Sequence, residues 1–171
     1  MDETEQSNKV KVLEVLLKNG RASTSEIAEK LGLSRQTVGK IIDNMEKDKE
    51  IWGFTSIFDP KLLGKKQFIF LVKLDLSEDT EEFLKIVTSK DIIKQNEEHG
   101  FKTTLFLHGS SDVMILAWAK NLIEAKKMLN KYKVIFRRYL KNVDLLEVIS
   151  TFRVNGIINP DVIKEWTNLI I

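Results

Sequence analysis

The chain has 171 residues, 43% apolar and 30% charged, with a net charge of +2 and no cysteine. That length allows one or two small domains with cores of their own, and the missing Cys excludes disulfides, thiolate metal sites and cysteine nucleophiles. No apolar run approaches the roughly 18 residues of a membrane span. The first residues (MDETEQ) are acidic and polar, unlike a signal peptide, and two His leave little for zinc, so a cytoplasmic protein without metal or cofactor is expected.

Residues 1–6 read as a disordered or fraying start. A helix is predicted over residues 7–18, with Val10, Leu13, Leu16 and Leu17 on one side and Asn19-Gly20 as its stop. Ser23 and Glu26 form a capping box for a second short helix, whose Ile27, Ala28 and Leu31 share a stripe and which Gly32 ends. Leu33 plugs the turn and Ser34 is a good N-cap for a third helix. Val38, Ile41, Ile42 and Met45 recur at i, i+3, i+4 and i+7, one buried face. The opposite face carries Gln36, Gly39, Lys40 and Asp43, with Arg35 at the entrance. Two short helices around a Gly-containing turn, the second half dry and half polar, is a helix-turn-helix pattern. Residues 51–58, rich in β-formers around Gly53, fit the hairpin wing of a winged helix. Asp59-Pro60 breaks the wing, and residues 61–66 read as a linker with a Gly hinge.

The second half has a different texture. Residues 67–76 form a strand with Phe68, Phe70, Val72, Leu74 and Leu76 on one face and Ile69 and Leu71 on the other, a pattern expected of a strand covered on both sides. Ser77 caps a helix to about residue 89, with Phe83, Leu84 and Val87 inward. Residues 90–100 fit either a short helix or a loop. Residues 102–108 and 112–119 read as strands joined by Gly109-Ser110-Ser111. A helix over 121–132 places Leu122, Ala125, Leu129 and Tyr132 on one stripe, and residues 144–154 close as a strand. The order β-α-β-β-α-β is the ferredoxin-like plan. Residues 159–171 form a last helix, with Asn159 as N-cap, Pro160 in the first turn, and an apolar stripe of Val162, Ile163, Trp166, Leu169 and Ile170 that needs cover on this chain or a partner.

Charge bears on any nucleic-acid role. Residues 7–50 hold nine basic and seven acidic residues, and residues 1–60 nine and eleven. Phosphate neutralisation by one chain is then modest, which fits a dimer better than a monomer.

The run Leu31, Gly32, Leu33, Ser34, Val38, Ile41, Met45, Glu46, Ile51, Gly53, Phe54, Asp59, Pro60, Leu63 and Gly64 resembles the helix-turn-helix and wing of the leucine-responsive regulator/AsnC family of bacterial and archaeal transcription factors. The β-α-β-β-α-β half resembles that family's effector and dimerisation domain. His108 to Asp112 stands where the family has a Thr-Gly-x-x-Asp turn, and Thr151 matches in the last strand. Three features depart from the family: Gly39 replaces a bulky helix residue, residues 90–100 are differently spaced, and the helix after Asn155 is an addition.

The expected fold is therefore α+β. Residues 1–60 would form a winged helix-turn-helix domain, 61–66 a linker, and 67–171 a ferredoxin-like dimerisation and effector domain with an extra C-terminal helix. Candidate DNA-binding residues are Ser34, Arg35, Gln36, Thr37, Gly39, Lys40 and Asn44. Arg and Lys pair with guanine and Gln or Asn with adenine, while Ser and Thr hydroxyls suit phosphates. Gly39 would allow close approach to DNA, or be a neutral residue on an exposed face. The resemblance implies an effector site around Gly109, Ser110, Ser111 and Asp112, for a small metabolite such as an amino acid. Lys126, Lys127, Lys131, Lys133, Arg137, Arg138 and Lys141 could touch flanking DNA or an acidic effector, or form a solvated face. Phe68, Phe70, Phe106 and Trp118 suit a sheet core or dimer interface; His99 and His108 suit no metal site. The function expected is a sequence-specific DNA-binding regulator, dimeric or octameric, with double-stranded DNA as partner and no membrane. Two alternatives compete. Sirohaem decarboxylases resemble the same two-domain plan, but Gln95-Asn-Glu-Glu-His99 lacks the Tyr and Arg expected there. A protein-interaction module that has lost DNA binding is the other.

Overall fold

The computed structural model describes residues 3–75, 80–98 and 100–170. Ser23 organises the first unit. Its hydroxyl accepts from Glu26 N–H, and the Glu26 carboxylate accepts from Ser23 N–H at 2.7 Å and from its hydroxyl at 2.8 Å. The first free donors of α2 (Thr24–Leu31) are thus satisfied by residues next to them in sequence. Gly32, at φ 66°, ends the helix in the left-handed region that glycine adopts at little cost, and Leu33 N–H donates to Ala28 C=O at 3.0 Å. With α1 (Glu3–Lys18) and α3 (Arg35–Lys47), α2 encloses Val12, Val15, Leu16, Ile27, Ala28, Val38 and Met45. Leu31, Leu33, Ile41 and Ile42 pack around that cluster, and a Lys9–Glu50 ion pair ties α1 to the chain beyond α3.

The stripe expected on α1 needs correction. Its buried residues are Val12, Val15 and Leu16, whereas Val10, Leu13 and Leu17 are exposed. Both sets satisfy helical spacing, and it is packing against α2 and α3 that selects one. The wing is also different: residues 51–58 carry no strand among the described residues. Arms of three or four residues around Gly53 have no third strand to pair with, and an isolated two-stranded ribbon is marginal in water. The expected linker is a 3-10 turn, Pro60–Leu63, which Asp59 caps by accepting from Lys61 N–H at 2.9 Å; Lys66 already belongs to the next strand.

The second unit comprises β1 (Lys66–Leu74), α4 (Thr80–Val87), α5 (Lys90–Glu98), β2 (Phe101–Phe106), β3 (Val113–Ala119), α6 (Leu122–Ile135) and β4 (Leu140–Glu147). The sheet order is β2-β3-β1-β4 with every neighbour antiparallel, as the ferredoxin-like plan requires. Alternation along β1 and β3 sends Phe68, Phe70, Val72, Val113, Ile115 and Ala117 to one face, where Phe83, Ile92, Ala125, Met128, Leu129 and Phe136 cover them. The other face holds Ile69 and Leu71, only half buried, so cover on both sides is not met within one chain. Residues 90–100 resolve mainly into helix α5. Leu84 and Leu122, expected inward, are 49% and 42% exposed, and Met128 takes the place Leu122 was given in the α6 stripe. Leu76 and the expected cap Ser77 lie outside the described residues.

The C-terminal part departs furthest. The last sheet strand begins at Leu140, opposite Leu74, and ends at Glu147 rather than spanning 144–154. Arg153–Val154 (β5) and Ile157–Ile158 (β6) form a separate ribbon, with Thr151 outside any strand. Asn155 and Gly156 turn it at φ 46° and 84°. Asn159 then accepts from Asp161 N–H at 2.9 Å and donates to Thr151 C=O at 3.0 Å, leading into α7 (Val162–Ile170). Of the expected stripe Val162 is buried and Ile163 is exposed; Leu169 and Ile170 lie outside the described side chains. The chain divides into Met1–Ile57 with Thr151–Ile171, and Phe58–Ser150. The C-terminal segment therefore groups with the helical unit, not with the sheet as its sequence position suggests. Among the described residues no helix is long and apolar enough to cross a membrane.

Candidate nucleic-acid interface

α3 is amphipathic because Val38 and Met45 go inward with Ile41 and Ile42, which leaves the other side to polar residues. Ser34 starts it as a true N-cap: its Oγ accepts from Thr37 N–H at 3.0 Å. The two hydroxyls also share a bond of 2.8 Å. One hydroxyl hydrogen is spent on that bond and one is left, so the pair can cap the helix and still donate once to a phosphate oxygen. Arg35, Gln36, Thr37 and Lys40 are exposed, and Gly39 and Asn44 are half buried. Among the described residues no hydrogen bond or ion pair holds the side chains of Arg35, Gln36, Lys40 or Asn44. Helical spacing aligns Gln36, Lys40 and Lys47 outward, flanks them with Thr37 and Asn44, and puts Gly39 on the other flank. A Cβ added at Gly39 would meet nothing within 4 Å, so no neighbour in this chain demands a glycine there.

Asp43 and Glu46 share the exposed side of α3 with Lys40 and Lys47. The helix is thus suited to reading base edges more than to neutralising phosphates. Trp52 carries no sequence signal that would single it out. It is 96% exposed, and its indole N–H donates to Lys49 C=O at 2.9 Å. Lys49 stands at φ 60° just after the helix, a backbone turn that no Gly announces.

Gly109, Ser110, Ser111 and Asp112 occupy the β2–β3 loop, in the other compact unit. Asp112 is engaged with its own fold: it accepts from Lys73 Nζ at 2.8 Å and from Leu74 N–H at 2.7 Å. Its backbone N–H donates to Val72 C=O at 2.8 Å, and Lys73 Nζ also reaches Gly109 C=O at 3.4 Å. The bond from the Lys73 ammonium, then the Leu74 N–H, holds the Asp112 carboxyl below its ordinary range. The loop is therefore pinned to the end of β1, with Ser110 exposed and Ser111 half buried. Phe68 and Phe70 are core, Phe106 is exposed, and Trp118 lies on the opposite sheet face edge-on to Phe58 at 5.3 Å. His108 is exposed and His99 lies outside the described residues.

A family model described as winged helix-turn-helix DNA-binding matches residues 6–49, which take in α2, α3 and all but the first residues of α1. An uncharacterized HTH-type transcriptional regulator of Pyrococcus furiosus is 27% identical over 153 residues, covering 85% of this chain and 92% of that protein. A transcriptional regulator from Neisseria meningitidis, solved as a complex with L-Met, superposes at TM-score 0.65 over 94% of this chain and 97% of its own; at 15% identity it speaks for the fold. The HTH-type transcriptional regulator LrpA of Pyrococcus horikoshii is 36% identical over 112 residues, 64% of this chain and 72% of that protein. Matched at that identity across most of an LrpA, the chain belongs to the leucine-responsive regulator/AsnC family of helix-turn-helix DNA-binding transcriptional regulators.

Proposed function

We propose that this regulator reads a specific operator as a two-fold symmetric dimer, with α3 of each protomer in the major groove and the sheet unit supplying the dimer contact. The observation that carries the reading is the state of α3: apolar face buried, Arg35, Gln36 and Lys40 exposed and untethered. Two such helices would lie about 34 Å apart, one turn of duplex. Support for the dimer comes from the open face of the sheet. Ile69, Leu71, Met114 and Leu116 are half buried there, and the flanking Leu105 and Leu146 are 47% and 46% exposed. A second copy of the same face would bury an apolar surface that water otherwise meets. Dimers of this kind can build higher assemblies such as an octamer.

The β2–β3 loop is the proposed effector site, for an amino acid or similar metabolite. The Neisseria regulator carries L-Met in its structure, and Ser110 and Ser111 present hydroxyls here while Asp112 holds the loop in place. Effector binding changes DNA binding only in proportion to its preference for one assembly over another. The test is selection of binding sites from genomic DNA, followed by anisotropy titration of the selected operator. Arg35→Ala with Lys40→Ala is expected to weaken binding at least tenfold, since a bidentate base contact contributes about 1–3 kcal/mol. The dimer should persist by light scattering. Unchanged affinity would remove α3 from the interface.

A further inference from the structure

The basic charge of this protein is not where its recognition helix is. Residues 7–50 hold nine basic against seven acidic residues, whereas residues 120–141 hold eight basic residues and one acid, Glu124. Glu124 is spent locally, its carboxylate accepting from Lys120 N–H at the start of α6. The rest of the chain is consequently net acidic.

The fold sorts that charge by face. Ala125, Met128, Leu129 and Tyr132 take the inner side of α6, so Lys126, Asn130 and Lys133 follow one another along the outer side at i, i+4 and i+7. Lys127 lies beside them, and Arg137 continues the line in the 3-10 turn Arg137–Tyr139. All five are exposed, and among the described residues Lys126, Lys127, Lys133 and Arg137 have no acidic partner, whereas Arg138 pairs with Glu82 at 3.2 Å. A helix face that serves only solvation mixes its signs. The outer face of α6 holds no acid; its basic residues stand beside the exposed apolar Ile123 and Val134.

We propose that this face is a second DNA-contact surface, binding backbone phosphates outside the segment that α3 reads. The inference rests on the operator-binding reading above. Its chemistry is that of a non-specific phosphate site: untethered ammonium and guanidinium groups in a row over roughly 16 Å of helix rise, facing a duplex that carries one negative charge per about 1.7 Å. It would supply the sequence-independent affinity that the nearly balanced helical unit lacks, and it extends the footprint beyond the two half-sites.

The test compares two duplexes holding the same selected operator, one of about 20 base pairs and one of about 60, against the wild type and the triple variant Lys126→Gln, Lys133→Gln, Arg137→Gln. These side chains are exposed, so the fold and the melting temperature should be retained. On the long duplex the variant is expected to bind at least tenfold more weakly near 0.1 M salt, with its log–log salt slope shallower by about 0.9 for each phosphate no longer neutralised. On the short duplex it should match the wild type within about twofold. Equal affinity of variant and wild type on both duplexes would overturn the second surface and leave the operator reading standing. Equal weakening on both would overturn the flanking assignment. Failure of wild type to bind either duplex, or of Arg35→Ala with Lys40→Ala to weaken the short one, would sink the underlying reading instead.

Discussion

Gly39→Ala separates what the protein needs from what its ligand needs. Gly39 lies in the interior of α3, outside the set of glycines with positive φ, and a methyl group at its Cβ would find no atom within 4 Å. The substitution therefore adds no clash and releases no backbone strain. What remains is intrinsic helix propensity, which favours Ala over Gly by about 0.8–1 kcal/mol in a helix interior. If the helical unit melts by itself, that gain raises its Tm by roughly 4–8 °C; if the whole chain melts as one, by about 2–4 °C. Scanning fluorimetry or calorimetry resolves either.

Nothing within the chain calls for glycine at 39; under the operator reading proposed above, it would let this helix face approach DNA closely, the alternative being a neutral residue on an exposed face. The same variant should lose about tenfold in operator affinity, about 1.4 kcal/mol, because a methyl group holds the helix away from the groove. Anisotropy at fixed salt reads that loss directly. Stability and affinity are thus expected to move in opposite directions on one substitution. A Tm that stays or falls would refute the helix energetics. A raised Tm with unchanged affinity would refute close approach at Gly39 and confine the reading surface to Arg35, Gln36 and Lys40.

Other consequences follow from single contacts. Ser23→Ala breaks the reciprocal cap of α2 and should cost about 1 kcal/mol in urea unfolding, with the midpoint lowered and the slope unchanged. Asp112→Asn should lower stability at neutral pH, and by less as the pH falls below about 4. The folded Asp112 carboxyl lies below its ordinary range, so its contribution is complete above about pH 4, near the unfolded value, and fades as pH falls through the folded one; identical acid profiles for the two proteins would rule this out. At the alkaline end burial pushes the Tyr132 phenol up to about 12. The folded state thus keeps a proton that the unfolded chain loses near 10, and stability should drop between about pH 10 and 12, less so in Tyr132→Phe. If the open sheet face is the dimer contact proposed above, Leu105→Lys with Leu146→Lys, both about half exposed on it, should shift that dimer towards monomer in sedimentation without unfolding the sheet unit.

What is legible in the sequence is what neighbours along the chain decide. Ser23 with Glu26, Gly32 and Ser34 each act within four residues, so both helix starts and the turn between them follow from local hydrogen bonding. Alternation in Phe68, Phe70 and Val72 against Val113, Ile115 and Ala117 settles the sheet's inner face for the same reason. Legibility ends where two local solutions are equally good and a distant partner chooses between them. α1 offers Val10, Leu13 and Leu17 as convincingly as Val12, Val15 and Leu16, and only α2 and α3 decide. β4 begins at Leu140 because Leu74 stands opposite it, a pairing across 66 positions of chain that no pattern within 140–147 announces.

The C-terminal ribbon, by contrast, does carry a local signal. Asn155-Gly156 between Val154 and Ile157 is a strong short-range hairpin cue, and it makes β5 and β6 a ribbon of their own instead of the end of the last sheet strand. The wing shows the opposite case: the β-forming composition of 51–58 suggests pairing, but composition supplies no partner strand, and the segment stays unpaired with Trp52 in water. The same distinction governs function. The outward chemistry of α3 is readable because helical period alone puts Gln36 and Lys40 opposite Val38 and Met45. The outer face of α6 becomes readable only with Met128, Leu129 and Tyr132 buried, which turns a run of basic residues into a line with a direction. Charge along a sequence is a composition; charge along a face, with its acids removed, selects a polyanion.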